Sequence, residues 1–585
     1  MSSSPMSAAT GSDETPNIIN EESVLGPEWC GVFESTVDFK QNHFEVAMSN
    51  LIKQPNINST VILRTDILKE IGYDNEAEGN PVVKDFLDKE LINSKPELEL
   101  ADGTTNNESS VLEKNLDDLE IREIPCSLPL IPKSKIVRRI IPRNPFKDFI
   151  INQTCLVLTN NNEQCTLVVY IPHIDNEQDS PFYLPPVYAV GILFMKDKLS
   201  LHYLPFNYTV PEALIKLKKL EPSERPIRIA FRLLQTAKKH STGVMNGYQK
   251  RVQHDLVVSK VAFQDRYIYL KKKYCKELVE NWCESTDPKK HVFEDIAIAA
   301  FLIELWIKIY NNSKDSFEFR DLGCGNGLLV HILTLEGYKG IGIDARARKS
   351  WKKAYPVEVQ QKLKEQVVIP SVLLRPHPVF WKMNPHIQDN GRIFQIPINN
   401  NNNHGNAHNR KKSENGNDDI DVPIVVPDGN VPIMAYYSSA NLLQSPQVNT
   451  AEFPKNTFII GNHSDELTCW IPLLGYPFMV IPCCSHALNG ARVRYTPSMK
   501  KRNIPGSSST YASLCDKVEQ ISEMVGWKVQ HEMLRIPSTR NMAIIGYEKF
   551  RGNFYNIYDV LAMEGSAEGW VENSMALMKR APRNH

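Results

Sequence analysis

One stretch limits the fold more than any other. Residues 319 to 327 read Phe-Arg-Asp-Leu-Gly-Cys-Gly-Asn-Gly, an apolar helix-forming run follows from 328 to 335, and residues 338 to 344 read Tyr-Lys-Gly-Ile-Gly-Ile-Asp. The pattern is strand, glycine turn, helix, strand, acid. Such a βαβ unit sets its glycine turn at the carboxyl end of the first strand, where open parallel sheets bind ligands. Gly323, Gly325 and Gly327 let the backbone pass close to a small molecule at positive φ. Asp344 closes the second strand, where a carboxylate can accept both hydroxyls of a ribose.

The spacing separates two ligand classes. A dinucleotide turn is G-x-G-x-x-G, with a pyrophosphate on the helix N-terminus. Here it is G-x-G-x-G, and Asp321 stands two positions before the first glycine. A carboxylate there repels a pyrophosphate and suits a cation. Asp-Leu-Gly-Cys-Gly-Asn-Gly resembles the first motif of class I S-adenosylmethionine (AdoMet) methyltransferases. The resemblance implies AdoMet as cofactor, held by Asp321, Gly323, Gly325, Asn326, Gly327 and Asp344.

The length of 585 residues allows two to four domains, and 42% hydrophobic residues suffice for a core. A formal net charge of -1 means that any nucleic-acid surface must be a local patch. The 11 cysteines include no C-x-x-C pair. Reduced thiols in a cytoplasmic or nuclear setting are expected, without disulfides or bound metal. The N-terminal residues carry no apolar run, so neither a signal peptide nor a membrane anchor is expected. Ile296 to Ile309 is too short to span a bilayer and reads as a buried helix.

In chain order, residues 1–26 are expected to form a disordered tail. Residues 27–240 read as a β-rich accessory domain with possible tRNA contact. Within it, residues 133 to 143 (Lys-Ser-Lys-Ile-Val-Arg-Arg-Ile-Ile-Pro-Arg) alternate basic and apolar. That strand face either meets phosphates or is simply solvated. Residues 245–550 read as the methyltransferase domain. Phe263, Tyr267, Leu270 and Tyr274 mark a helix whose other face carries Arg266, Lys271, Lys272 and Lys273, either RNA-facing or solvated. Asp287 and Pro288 begin the next helix as N-cap and first residue. After Asp344 about 110 residues pass before the next clear strand at Thr457, far more than a crossover needs. The excess includes an Asn/His/Lys/Asp tract at 399–421, expected to be a disordered insertion whose ends stay close. Further strands begin near Pro477, Trp527 and Met542, and residues 551–585 form a C-terminal extension. The fold class expected is α/β: a doubly wound, mostly parallel seven-stranded Rossmann-like methyltransferase sheet, closed by a reversed edge strand.

Several runs share one likeness: Lys250-Arg-Val-Gln-His-Asp255, Asp287-Pro-Lys-Lys-His-Val-Phe-Glu-Asp295, the glycine turn, Gly342 to Trp351, Ile460-Gly-Asn-His-Ser-Asp-Glu-Leu467, Ile481-Pro-Cys-Cys484 and Leu534-Arg-Ile-Pro-Ser-Thr-Arg540. Together they resemble the eukaryotic tRNA (uracil-2′-O-)-methyltransferase family. The resemblance implies 2′-O-methylation of the uridine at position 44 of serine tRNA, with no obligate protein partner. The chain departs from the family in its Asn-rich insertion, and it lacks the zinc finger that some relatives carry.

A ribose hydroxyl is a poor nucleophile while protonated, so a base or a stabilising cation is needed. Asn462, His463, Asp465 and Glu466 follow the strand that faces the transferred group in this fold. His463 or Asp465 is a candidate to take the proton. Asn462, with Gly461, is a candidate to hold cofactor or substrate. Arg346, Arg348, Lys271, Lys272, Arg535 and Arg540 are candidates for RNA contact. Two other readings remain open: a methyltransferase acting on another RNA position, a base or a protein, and a non-catalytic RNA-binding protein on the same fold.

Overall fold

Long β-branched runs build the first of two units, residues 1–251 and 252–585. The computed structural model describes residues 17–73, 81–84, 118–144, 148–207, 209–248, 254–398, 433–496 and 509–578. In the first unit, nine strands make one sheet: β1 (Asn17–Ser23), β2 (Gly26–Thr36), β3 (Ile62–Tyr73), β4 (Pro81–Lys84), β5 (Ile131–Pro142), β6 (Ile151–Asn160), β7 (Cys165–Pro172), β8 (Ala189–Met195) and β9 (Lys198–Leu204). Their order is β1-β2-β9-β8-β7-β6-β5-β3-β4, and every neighbouring pair is antiparallel. Helices α1 (Gln41–Lys53), α2 (Val210–Lys218) and α3 (Arg225–Met245) cover one face. There Phe44, Met48, Ala230 and Leu234 pack on Ile136, Tyr170, Ile192 and Leu201. Around Trp29 and Leu167 the other face is covered by residues 121–130, and Trp29 Nε1 donates to the Pro125 carbonyl at 2.8 Å.

Two expectations for this half change. Residues 17–23, assigned to the tail, form β1, because pairing with β2 satisfies the backbone of a polar segment that cannot bury a face of its own. The basic run 133–143 lies in β5, an interior strand, except for Arg143, which follows it. Arg138 and Arg139 are only 4% and 7% exposed. Arg138 donates to Gln153 Oε1 at 2.7 Å and to the Ile52 carbonyl near the end of α1. Arg139 reaches Asp66 at 3.0 Å, and Arg64 reaches the same carboxylate at 2.8 Å. Burial alone would push the Asp66 carboxyl up, but the two guanidiniums hold it below its ordinary range. Arg138 and Arg139 are thus internal ties, turned away from any RNA.

The second unit contains β10 (Glu318–Leu322), β11 (Gly340–Asp344), β12 (Leu363–Glu365), β13 (Val367–Val368), β14 (Ile393–Ile398), β15 (Ile433–Ser438), β16 (Val448–Asn449), β17 (Thr457–Asn462), β18 (Phe478–Ile481), β19 (Trp527–Met533) and β20 (Met542–Lys549). Seven of them make one sheet in the order β12-β11-β10-β17-β18-β20-β19. From β12 to β18 the pairing is parallel. β20 is antiparallel to both its neighbours. The reversed strand therefore lies one place inside the edge: the short loop after β19 can only join antiparallel neighbours, and β20 inserts beside β18.

Helices α4 (Lys260–Glu280), α5 (Pro288–Tyr310) and α6 (Leu328–Leu335) cover one face of this sheet. Asp287 caps α5, accepting from Lys289 N at 2.9 Å. Residues 296–303 of α5 are buried all round, as their uniformly apolar sequence requires. Trp306 ends the run in a nest of Phe317, Phe319, Tyr338 and Phe458, with ring centroids 5.0 to 5.9 Å away. α7 (Thr510–Met524) covers the other face with Trp470 and Trp570. Trp570 belongs to the expected C-terminal extension, yet it is buried and its Nε1 donates to the Val368 carbonyl at 3.1 Å. Residues through 578 are thus part of this core. The long gap before β17 hides β12, whose Leu-Lys-Glu has no readable periodicity. The tract at 399–421 lies outside the described residues. The described strands on either side of it, β14 and β15, pair antiparallel up to Ile398 and Ile433.

Removing the Trp306 side chain leaves a large void under the central strands. Trp306→Ala is expected to lower stability by about 3–5 kcal/mol, read as an earlier denaturant midpoint for this unit. A loss below about 1 kcal/mol would show that the nest is not tightly packed.

Candidate active site

Strand β10 ends in a turn made by left-handed glycines. Gly323, Gly325 and Gly327 have φ of 80°, 54° and 78°. The N–H groups of Gly323 and Cys324 both donate to the Ile343 carbonyl, at 2.8 and 3.2 Å, which folds the turn over the end of β11. A Cβ on Gly323 would lie 3.2 Å from Ser464 Cβ, and one on Gly327 would lie 2.9 Å from Leu363. Beside Gly325 there is open space, with nothing within 4 Å. The first and third glycines serve packing, and the middle one leaves room for a ligand.

Two carboxylates border this opening. Asp344 accepts from Gly325 N at 2.9 Å and from Arg346 N at 3.0 Å, and each oxygen keeps a further lone pair. Asp321 is 1% exposed, and its Oδ1 has no hydrogen-bond partner. Burial, and then the charge of Asp344, push its carboxyl up to about 8. Asn326 also braces the turn. Its Oδ1 accepts from Leu328 N at 2.9 Å, and its carbonyl anchors Ser350 Oγ and Tyr355 OH at 2.7 and 3.0 Å. That side chain closes a turn just before α6.

The acceptor edge lies directly alongside. β10 pairs with β17 so that Asp321 is level with Ile460. A Cβ on Gly461 would meet Ile471 at 2.3 Å and Ser464 Oγ at 2.9 Å, so this glycine is demanded by packing. Asn462 Nδ2 donates to Asp295 Oδ1 at 3.2 Å, and His463 Nε2 lies 3.1 Å from Glu294 Oε1. Asp295 is driven well above its ordinary value, first by burial, then by the charges of Glu294 and Asp321. Three acids from α5 and β10 therefore crowd one dry corner, and no Lys or Arg ion pair with Asp321 or Asp295 exists among the described residues. His463 and Asp465 hold the tight loop at φ of 52° and 44°.

The four candidate catalytic residues thus divide. Asn462 and His463 face α5. Asp465 and Glu466 turn toward the segment after β18: Cys483 Sγ donates to Asp465 Oδ1 at 2.9 Å, and Glu466 lies 3.8 Å from His486. Asp465, Cys483 and Cys484 bring their ligand atoms all within 4.8 Å of one another, a spacing that could hold a metal ion. Arg540 donates to the Cys483 carbonyl and lies 3.6 Å from Cys484 Sγ.

The expected RNA contacts are partly engaged within the fold. Arg535 forms a two-pronged pair with Asp255, at 2.6 and 3.2 Å. On α4, Arg266 pairs with Glu304 at 2.7 Å and Lys273 with Glu336 at 3.0 Å. Lys271 rests over the Phe293 ring at 5.2 Å, and Lys272 is exposed. Arg346 and Arg348 follow Asp344 at the ligand edge. Glu294 and Asp295 were not singled out as site residues. Their signal was two adjacent acids directly before the apolar run Ile296 to Ile303, where each must meet something polar.

Residues 7–251 match the family model described as "TRM44-like, N-terminal bet v1-like domain". Residues 257–370 match the one described as "Predicted AdoMet-dependent methyltransferase". The second unit thus carries an AdoMet-dependent methyltransferase domain, and the first is bet v1-like. The chain is 55% identical to the tRNA (uracil-O(2)-)-methyltransferase of Debaryomyces hansenii, over 97% of this chain and 98% of that one. It is 53% identical to the protein so named in Saccharomyces cerevisiae, over 97% and 96% of the two chains. For the Schizosaccharomyces pombe protein the identity is 34%, over 95% and 94%. The chain belongs to the tRNA (uracil-O(2)-)-methyltransferase family. No solved structure matches it. No helix among the described residues is long and apolar enough to cross a membrane.

The buried acids set a pH dependence. The native protein keeps a proton on Asp321 up to about pH 8, while the unfolded chain releases it near its ordinary 3.8. Unfolding therefore releases protons, and the stability of the ligand-free protein falls as pH rises from about 4 to 8. Asp321→Asn is expected to flatten part of that fall in thermal melts across this range. An unchanged slope would show that Asp321 ionises normally.

Proposed function

We propose that this protein transfers the methyl group of AdoMet to the ribose 2′-oxygen of a uridine in tRNA. By the family resemblance this is uridine 44 of serine tRNA. We further propose that the seven-stranded sheet serves as a Rossmann-like methyltransferase scaffold and that the protein works in the cytoplasm. Eleven cysteines without a C-x-x-C pair support a reducing compartment. One observation carries the cofactor reading: Asp321 is buried, partly unpartnered and beside an open glycine turn. A dry acidic corner fits a cation, and AdoMet brings a sulfonium, an ammonium and a ribose.

AdoMet supplies a methyl group already activated for displacement. The chain's own residues do the rest. Asp321 ionises against positive charge, and Asp344 offers its remaining lone pairs to hydroxyls. Asp295 fixes Asn462 at the same edge. Glu294 accepts the Nε2 hydrogen of His463, which leaves the Nδ1 lone pair to take the proton of the attacking hydroxyl. The imidazolium so formed keeps Glu294 as its counter-charge. Glu294 is a positioning residue and His463 the general base.

The test is incubation with labelled AdoMet and deproteinised tRNA, with the methyl mapped by resistance to alkaline cleavage. Label confined to bases would overturn the 2′-oxygen reading. His463→Ala is expected to lower kcat about 100-fold with the KM for AdoMet unchanged. Glu294→Gln should lower kcat less and move the acid limb of the pH–rate profile. Full kcat in His463→Ala would remove the general-base role.

A further inference from the structure

The first unit holds a surface that the methyl-transfer chemistry does not use. Helix α3 carries Arg225, Arg228, Arg232, Lys238 and Lys239 and not one carboxylate in its 21 residues. With the end of α2, residues 216 to 239 contain eight Lys or Arg and two Glu, in a chain of net charge -1. An ordinary solvated helix mixes both signs.

The cations also share a stripe. Ile227, Ala230, Leu234, Ala237 and Ser241 face the sheet and are buried. On the outer side, Arg228, Arg232, Gln235 and Lys239 recur at steps of four, three and four residues, roughly 16 Å along the axis from first to last. All four are exposed. Arg225 and Lys238 flank this row and are tied down, Arg225 to the Leu184 carbonyl at 3.0 Å and Lys238 to Ser35 Oγ at 2.9 Å. Arg228, Arg232 and Lys239 have no carboxylate partner among the described residues. Like charges at i and i+4 destabilise a helix, so the row is retained at a small loss of stability. At one end stands Phe182, 62% exposed, with the Arg225 and Arg228 guanidiniums 5.7 and 6.0 Å from its ring centroid. Cations interleaved with an exposed ring are what a ribonucleic acid strand meets on its binders.

We propose that the outer stripe of α3, Arg228–Arg232–Lys239, is a docking site for the phosphate backbone of tRNA. The bet v1-like unit then holds substrate while the second unit carries out the transfer. This rests on the tRNA methylation proposed above.

The test uses the full chain with Arg228→Gln, Arg232→Gln and Lys239→Gln combined. The expected results are a tRNA KM raised tenfold or more and unchanged AdoMet binding. The log–log salt slope of tRNA binding should shrink by about 2 to 3, since each phosphate contact contributes about 0.7–0.9. The charge-conserving triple Arg228→Lys, Arg232→Lys, Lys239→Arg should keep the wild-type KM and slope; its failure alongside the neutral triple would mean a structural role and overturn the proposal. An unchanged slope and KM in the neutral triple would overturn it as well. So would loss of binding to phosphatidylglycerol vesicles with tRNA binding intact, which would make the stripe a membrane contact. Wild-type protein that binds tRNA with a stripe-dependent slope yet methylates nothing would sink the methylation reading alone.

Discussion

Everything at the site depends on the in-register parallel pairing of β10 between β11 and β17. It sets Asp321 level with Gly342 on one side and Ile460 on the other. The strands then end together, so the glycine turn, Asp344 and the Asn462–His463 loop open on one edge. Gly323 lies against Ser464 so closely that a methyl group there would press on it. The two halves of the site, far apart in sequence, become one surface because parallel strands share the direction in which they end.

That edge is electrostatically unusual. Glu294, Asp295 and Asp321 converge where water is excluded, and their charges oppose one another. Burial of an acid is tolerated when a proton or a cation accompanies it. In the ligand-free protein a proton serves at Asp321. Asn462 donates one hydrogen bond to Asp295, and His463 Nε2 meets Glu294, which fixes their orientation across the sheet. The same backbone turn aims Asp465 and Glu466 the other way, toward Cys483 and His486. Four consecutive polar candidates thus split into two pairs with different neighbours.

The first unit obeys a different rule. Its nine antiparallel strands are covered on both faces, so polar residues in the middle of the sheet must be paired internally. Arg138 and Arg139 meet Gln153 and Asp66 for this reason. Charge free to meet a partner is found on the outside of α3, where Arg228, Arg232 and Lys239 are exposed. Basic residues in a strand and in a helix of one unit therefore have opposite fates, decided by whether a layer lies over them.

Residues 319–344 determined on their own the βαβ unit, the turn and its preference for a cation, since glycine spacing and apolar periodicity are local properties. The helix start at Asp287 was legible for the same reason. The pairing of Asn462 and His463 with Glu294 and Asp295 was not, because those contacts join residues almost 170 positions apart. Nor was the role of Gly461, whose missing side chain answers to Ile471. β12 escaped because three residues carry no period, and β1 because a polar edge strand resembles a tail until a partner accepts its hydrogen bonds. Local pattern determined which residues form the turn and helices; only the tertiary structure decided which acids share a dry corner, since burial depends on what the rest of the chain places over them.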